Sequence, residues 1–177
     1  MDKNHLIFFI GDSIIQGLDN KTIHQNSENY GIGGDTTFGM LSRLPTIPNI
    51  FNADTALISI GINDFWFGSP SDIIFDTYDD IINFFPKSTK VLVNSIIPVD
   101  NKIPSLPKNS LIDSTNKQIH ELCSSFDNCK FCDSNSALKD NKNDLQQQFH
   151  IGDGVHLSNK GYQVLTDIFI KKIRSSQ

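Results

Sequence analysis

The chain has 177 residues, of which 38% are hydrophobic, and its 15 basic residues against 20 acidic ones leave a net charge of −5. That length builds a proper core within one domain, taken as residues 1–177, and the lack of a basic stripe excludes nucleic acid as a partner. The acidic balance argues against docking on anionic membranes, and no apolar run approaches the ~18 residues of a membrane span.

The first apolar run, residues 6–10 (LIFFI), passes straight into Gly11-Asp12-Ser13. It is too short for a signal-peptide core and no cleavage site follows it, so with Met1 as the start the protein is expected in the cytoplasm. The run has the near-continuous apolar character of a strand covered on both faces, and a short helix can begin at Ile14. Residues 27–31 (SENYG) make a weaker strand, and residues 36–44 a short helix. Residues 56–60, inside TALISIG, form the next strand. In 71–85, Ile73, Ile74, Tyr78, Ile81, Ile82 and Phe85 recur at helical steps, with Ser69-Pro70 before them and Pro86 after. A strand is expected over 91–97, a helix over 109–126, and a weaker strand over 129–133. The polar stretch 133–148 reads as a surface loop with a helical turn. Residues 159–174 carry the last apolar stripe, with Ser158 as N-cap.

Strands alternating with helices imply a parallel sheet covered on both faces, whose ligands sit beyond the carboxyl ends of the strands. Four blocks occupy such places: GDS (11–13), NYGIGGDTT (29–37), GIND (61–64) and DGVHLSNKGY (153–162). Singly, each has a plain structural reading. A Ser after Gly-Asp is a turn or cap residue, Asn63 a turn former, and Asp153 and His156 a hydrogen-bonded pair at a helix entrance. A dinucleotide loop fails on spacing, because its third glycine would stand where Thr36 is, and no phosphate-binding G-x-x-x-x-G-K-[ST] occurs. Together, the blocks hold the parts of an acyl-transfer site. Ser13 can be the nucleophile, His156 its base, and Asp153 the orienter of that base. The Ser13 and Gly34 N–H groups and the Asn63 amide can make an oxyanion hole.

These blocks, in this order, resemble the SGNH hydrolases, also called the GDSL esterase/lipase superfamily, with Ser13, Gly34, Asn63 and His156 as the name-giving residues and Asp153 as the acid of a D-x-x-H pair. GIGGDTT is especially similar to a segment in the catalytic subunits of platelet-activating-factor acetylhydrolases. The resemblance covers residues 6 to about 174. It implies an α/β class fold, a three-layer α/β/α sandwich around a flavodoxin-like five-stranded parallel sheet. It also implies hydrolysis of esters or thioesters through an acyl-serine, with no cofactor and no metal. Two departures stand out. Fifteen residues separate Ser13 from Asn29, which abbreviates the first helix, and Phe65, Trp66 and Phe67 follow the oxyanion asparagine. The aromatics read either as packing or as a substrate-binding wall.

Other reactive residues are set aside. Cys129 and Cys132 form a C-x-x-C that straddles a strand, so buried neutral thiols are expected, and Cys123 does not complete a zinc set. The odd cysteine count suits a reducing compartment. Asp12, Asp35 and Asp64 read as braces for turns. His5, His24 and His120 lie in polar settings, and His150 lies six residues before His156, within reach of the site. The expected activity is removal of a short acyl group, acetyl first, from a small-molecule ester such as an acetylated sugar. The alternatives are a thioesterase or lysophospholipase on the same machinery, or a non-catalytic binding module. Oligomeric state is not legible.

Overall fold

Residues Ile7–Gly11 are buried without exception, and the reason is their place in the middle of a sheet. In the computed structural model, which describes residues 4–176 and so leaves Met1 outside, they form strand β1. It is joined by β2 (Ser27–Gly31), β3 (Thr55–Ser59), β4 (Lys90–Asn94) and β5 (Cys129–Cys132). All pairs are parallel, in the order β2-β1-β3-β4-β5. β3 is buried throughout and β4 nearly so, whereas the edge strands β2 and β5 are partly exposed. The more polar sequences therefore went to the edges.

Eight helices cover the sheet among the described residues: α1 (Ser13–Gln16), α2 (Asn20–Ile23), α3 (Thr37–Arg43), α4 (Ile62–Trp66), α5 (Ser71–Phe84), α6 (Asn109–Ser124), α7 (Asn135–Leu138) and α8 (Asn159–Ser175). Alternate strand residues face opposite ways. Phe8, Ile10, Ala56, Ile58, Val91 and Val93 pack with Met40, Tyr78, Ile82, Ile112 and Ile119 from α3, α5 and α6. Ile7, Phe9, Leu57 and Leu92 pack with Ile14 and Ile15 of α1 and Leu165, Phe169 and Ile173 of α8. The result is the expected three-layer α/β/α sandwich. Ser158 caps α8, its hydroxyl accepting from Gly161 N–H, and Thr36 caps α3 in the same way. Among the described residues, no helix is long and apolar enough to cross a membrane.

Two expectations need correction. The strand expected over 91–97 stops at Asn94, where its pairing with β5 ends at Cys132. Ile96, Ile97 and Val99 are buried all the same, because α6 supplies what a neighbouring strand would. The Asn116 amide accepts from Ile96 N–H at 2.8 Å and donates to Ile96 C=O at 2.9 Å. Asn109 does the same for Val99, at 2.9 and 2.7 Å. The stretch 133–148 is also more than a surface loop: Ser134, Asn135, Leu138 and Leu145 are buried. Ser134 donates to the Asn94 side chain and Asn135 to Ile96 C=O, so the start of α7 is tied beneath the end of β4.

Candidate active site

At the carboxyl end of β1 the chain must turn at once into α1, and Asp12 makes that turn. Its Oδ1 accepts the Ile14 N–H at 2.9 Å, so it is the N-cap of a single-turn helix. Ile14 and Ile15 anchor α1 in the core, and the Tyr162 hydroxyl of α8 donates to Ile14 C=O at 3.1 Å. Ser13 is left as the first helical residue, with no intrahelical acceptor for its N–H. Burial pushes the Asp12 carboxyl up to about 7, against the opposing pull of the Ile14 N–H.

His156 arrives from the loop before α8, and its Nε2 lies 3.0 Å from Ser13 Oγ. Its Nδ1 lies 2.7 Å from Asp153 Oδ2. Partial burial raises the Asp153 carboxyl, but hydrogen bonds from Val155 N–H, the His156 ring and His156 N–H outweigh it and hold the group below the usual carboxylate range. An ionised carboxylate only accepts, so Nδ1 carries the proton and Nε2 is free to accept from the Ser13 hydroxyl. Both side chains are about half exposed, at 47% and 41%, which leaves the pair open to an incoming substrate.

The loop after β2 runs alongside. Asp35 N–H closes a turn onto Ile32 C=O at 3.2 Å, leaving Gly34 N–H outside that bond. Gly34 has φ +77°, a conformation that costs other residues strain, and a Cβ there would meet nothing. Asn63, in the first turn of α4, donates to Asp35 C=O at 2.9 Å and keeps its second amide hydrogen. Asp35 takes the Arg43 Nε at 2.7 Å, while the same guanidinium donates to Gly11 C=O and Tyr30 C=O. Asp64 accepts from the Thr37 N–H and hydroxyl. The three aspartates are braces, as their turn positions suggest. Arg43 ties these strand ends and the loop together, which the sequence hides: a basic residue in the last turn of a helix normally does no more than complement its dipole.

Ser13, Asn63, Asp153 and His156 border one cleft of about 260 Å³, with Ile62, Trp66, Ile103, Ser105, Leu106 and Val155. Of the aromatic trio, Trp66 lines this cleft, Phe65 packs toward the core, and Phe67 projects into solvent at 70% exposure. Consecutive residues on a helix are splayed by about 100°, so three in a row cannot share a wall. Ile103 and Leu106 come from the irregular segment after β4, where no periodicity marks them. The abbreviated region after Ser13 borders a different groove, against α8. A larger hollow of about 480 Å³ beside α6 and β5 is more open, and its Asp113 is already held by Lys139 and Asn143. The cysteines are free and buried. Burial pushes the Cys132 thiol up to about 12, and a hydrogen bond to Cys129 raises Cys123. His120 stacks on Phe131. Among the described residues, no group of three or more His, Cys, Asp or Glu side chains is arranged to hold a metal ion.

The model of the GDSL-like lipase/acylhydrolase family matches residues 9–164. The chain belongs to this family. As a GDSL-like acylhydrolase it is a carboxylic-ester hydrolase. Among solved structures, it is similar to a protein from Streptococcus pneumonia provisionally described as a platelet activating factor, at 26% identity and TM-score 0.86 over 94% of this chain and 83% of that one. It also shares its fold with the lipase/acylhydrolase from Enterococcus faecalis, at 22% identity and TM-score 0.84 over 97% and 96%. The acetyl xylan esterase AlAXEase is a third likeness of fold, at 23% identity and TM-score 0.77 over 94% and 98%. Among curated proteins, none matches in sequence.

Proposed function

We propose that this GDSL-like acylhydrolase is a serine esterase that removes short acyl groups, acetyl first, through an acyl-Ser13 intermediate. The observation that carries the reading is the run of contacts from Ser13 Oγ to His156 Nε2 at 3.0 Å and from His156 Nδ1 to Asp153 at 2.7 Å. Ser13 Oγ attacks the ester carbonyl carbon while His156 Nε2 takes the hydroxyl proton. The oxyanion accepts from the N–H groups of Ser13 and Gly34 and from the Asn63 amide. Asp153 stabilises the imidazolium, which gives its proton to the leaving alkoxide as the C–O bond breaks. Water, deprotonated by His156, then attacks the acyl carbon and releases the acid and Ser13.

The size of the cleft supports a small acyl group. At about 260 Å³ it falls below the ~300–1,000 Å³ of ordinary ligand pockets. The likeness of fold to an acetyl xylan esterase makes acetylated sugars the first class to try, and an acyl-CoA or a lysolipid the alternatives. Three free, buried thiols suit a reducing compartment, which favours the cytoplasm.

Ser13→Ala decides the mechanism. We expect kcat on p-nitrophenyl acetate to fall on the order of 10,000-fold with the fold intact by circular dichroism. Retained activity overturns the acyl-serine reading, and with it the thioesterase and lysophospholipase alternatives, which use the same serine. A maximum at p-nitrophenyl octanoate in a chain-length series overturns the short-acyl preference.

A further inference from the structure

The loop that brings Asp153 and His156 to Ser13 spans residues 150–157, pinched at its base by a bridge between His150 and Leu157. Ile151 N–H donates to His156 C=O at 3.0 Å just inside that bridge. Two acceptors then organise the remaining backbone. The Asp153 carboxylate takes Val155 N–H at 3.0 Å and His156 N–H at 2.9 Å. The His150 ring takes two more: Gly152 N–H and Gly154 N–H both donate to its Nδ1, each at 3.1 Å.

The ring's chemical form follows from those donors. An atom accepting two N–H groups carries no hydrogen, so the proton of the neutral ring sits on Nε2. That Nε2 is buried and has no hydrogen-bond partner among the described residues; a carboxylate oxygen, Asp100 Oδ2, lies 3.8 Å away. Asp100 grips the same turn from the other side, its N–H donating to Gly154 C=O at 2.9 Å. Gly154 is thus held at both of its backbone groups. It has φ +77°, and a Cβ there would stand 2.6 Å from Ile103 Cδ1, so the turn is held between the His150 ring and the wall of the cleft.

We propose that His150 is a positioning residue. In its Nδ1-acceptor form it fixes the turn of the loop and, through Gly152 and Gly154, the places of Asp153 and His156. The inference rests on the acyl-serine reading above, because positioning matters only if those two side chains serve Ser13. A ring whose only purpose was to fill space would need no acceptor at Nδ1. A buried imidazole with its Nε2–H unsatisfied is tolerated for what its other nitrogen does.

The test separates the acceptor from the volume. His150→Leu removes the acceptor and keeps an apolar body of similar reach. We expect kcat on p-nitrophenyl acetate to fall about 10- to 100-fold, the scale of a misplacement near 1 Å, with KM changing less than about threefold. His150→Asn carries an oxygen on Cγ, where Nδ1 is bonded in histidine, so it can accept both N–H groups. Its kcat should stay within about threefold of the parent's. An undiminished kcat in His150→Leu overturns the proposal, and so does an equal loss in both variants, which would make the ring itself the requirement. Should His150→Leu fail to fold, the ring nitrogen shifts of His150 in the unaltered protein decide the matter. A protonated Nε2 with a bare Nδ1 supports the proposal, and a proton on Nδ1 overturns it. Failure of the underlying reading looks different, since Ser13→Ala would then keep its activity whatever His150 does.

Discussion

Asp12 is where the chemistry of a single residue is easiest to misread. It stands next to Ser13 and invites the role of triad acid, yet its Oδ1 is committed to the Ile14 N–H and the acid paired with His156 is Asp153. Its burial has a testable consequence for stability. The folded carboxyl is raised from 3.8 to about 7, so between those values the folded protein binds a proton that the unfolded chain has released. Stability from this group is therefore fully present below pH 3.8 and is lost as pH rises through about 7. Asn keeps the N-cap oxygen and carries no charge to bury. Asp12→Asn should therefore stabilise the protein at pH 8 by on the order of a few kcal/mol. The advantage should shrink toward pH 4 in urea unfolding of both proteins. A difference that stays constant across that range would show that the carboxyl is not buried as an acid. The position of Asp12 was legible in the sequence, as a polar residue closing a strand and opening a helix. Its ionisation was not, because that depends on the core that closes over it.

At the scale of elements, the central strands and long helices were legible because burial on both faces leaves continuous apolar runs, and an amphipathic helix leaves a 3.6-residue period. The same logic fails over Ile96 to Val99. Apolar composition reports burial and not pairing, and these residues are buried without strand neighbours because Asn116 and Asn109 bond their backbones. Within a helical pattern those asparagines look like surface positions. Asn116→Leu should strand the N–H of Ile96, whose C=O keeps its bond from Asn135, and destabilise the fold by about 1–3 kcal/mol, the cost of one buried group left unpaired. Urea unfolding measures it. A loss below ~0.5 kcal/mol, the scale of a neutral surface change, would mean that the segment finds other partners.

The whole molecule explains why residues 143 positions apart meet. Parallel pairing aligns every strand's carboxyl end on one edge, and the order β2-β1-β3-β4-β5 puts the turn after β1 between the loop after β2 and the helix after β3. That arrangement carries the Gly34 loop and Asn63 alongside Ser13, and the sequence marks these proposed oxyanion donors because each follows a strand end. The walls of the cleft were hidden, since Ile103 and Leu106 belong to a segment whose path is set by α6 and by contact with Gly154. If those two side chains bound the acyl group, shortening them should admit longer chains while leaving the reacting groups alone. Leu106→Ala and Ile103→Ala remove buried or half-buried methyl groups that face both the cleft and the Gly154 turn. We expect the ratio of kcat/KM for p-nitrophenyl octanoate over acetate to rise by about tenfold or more, the worth of roughly 1–3 kcal/mol of apolar contact. Reactivity toward a small phosphonylating agent at Ser13 should change little. A fall in both substrates together with slower phosphonylation would place these residues under the loop that holds His156. An unchanged ratio with normal phosphonylation would place the acyl group elsewhere along the cleft, against Trp66.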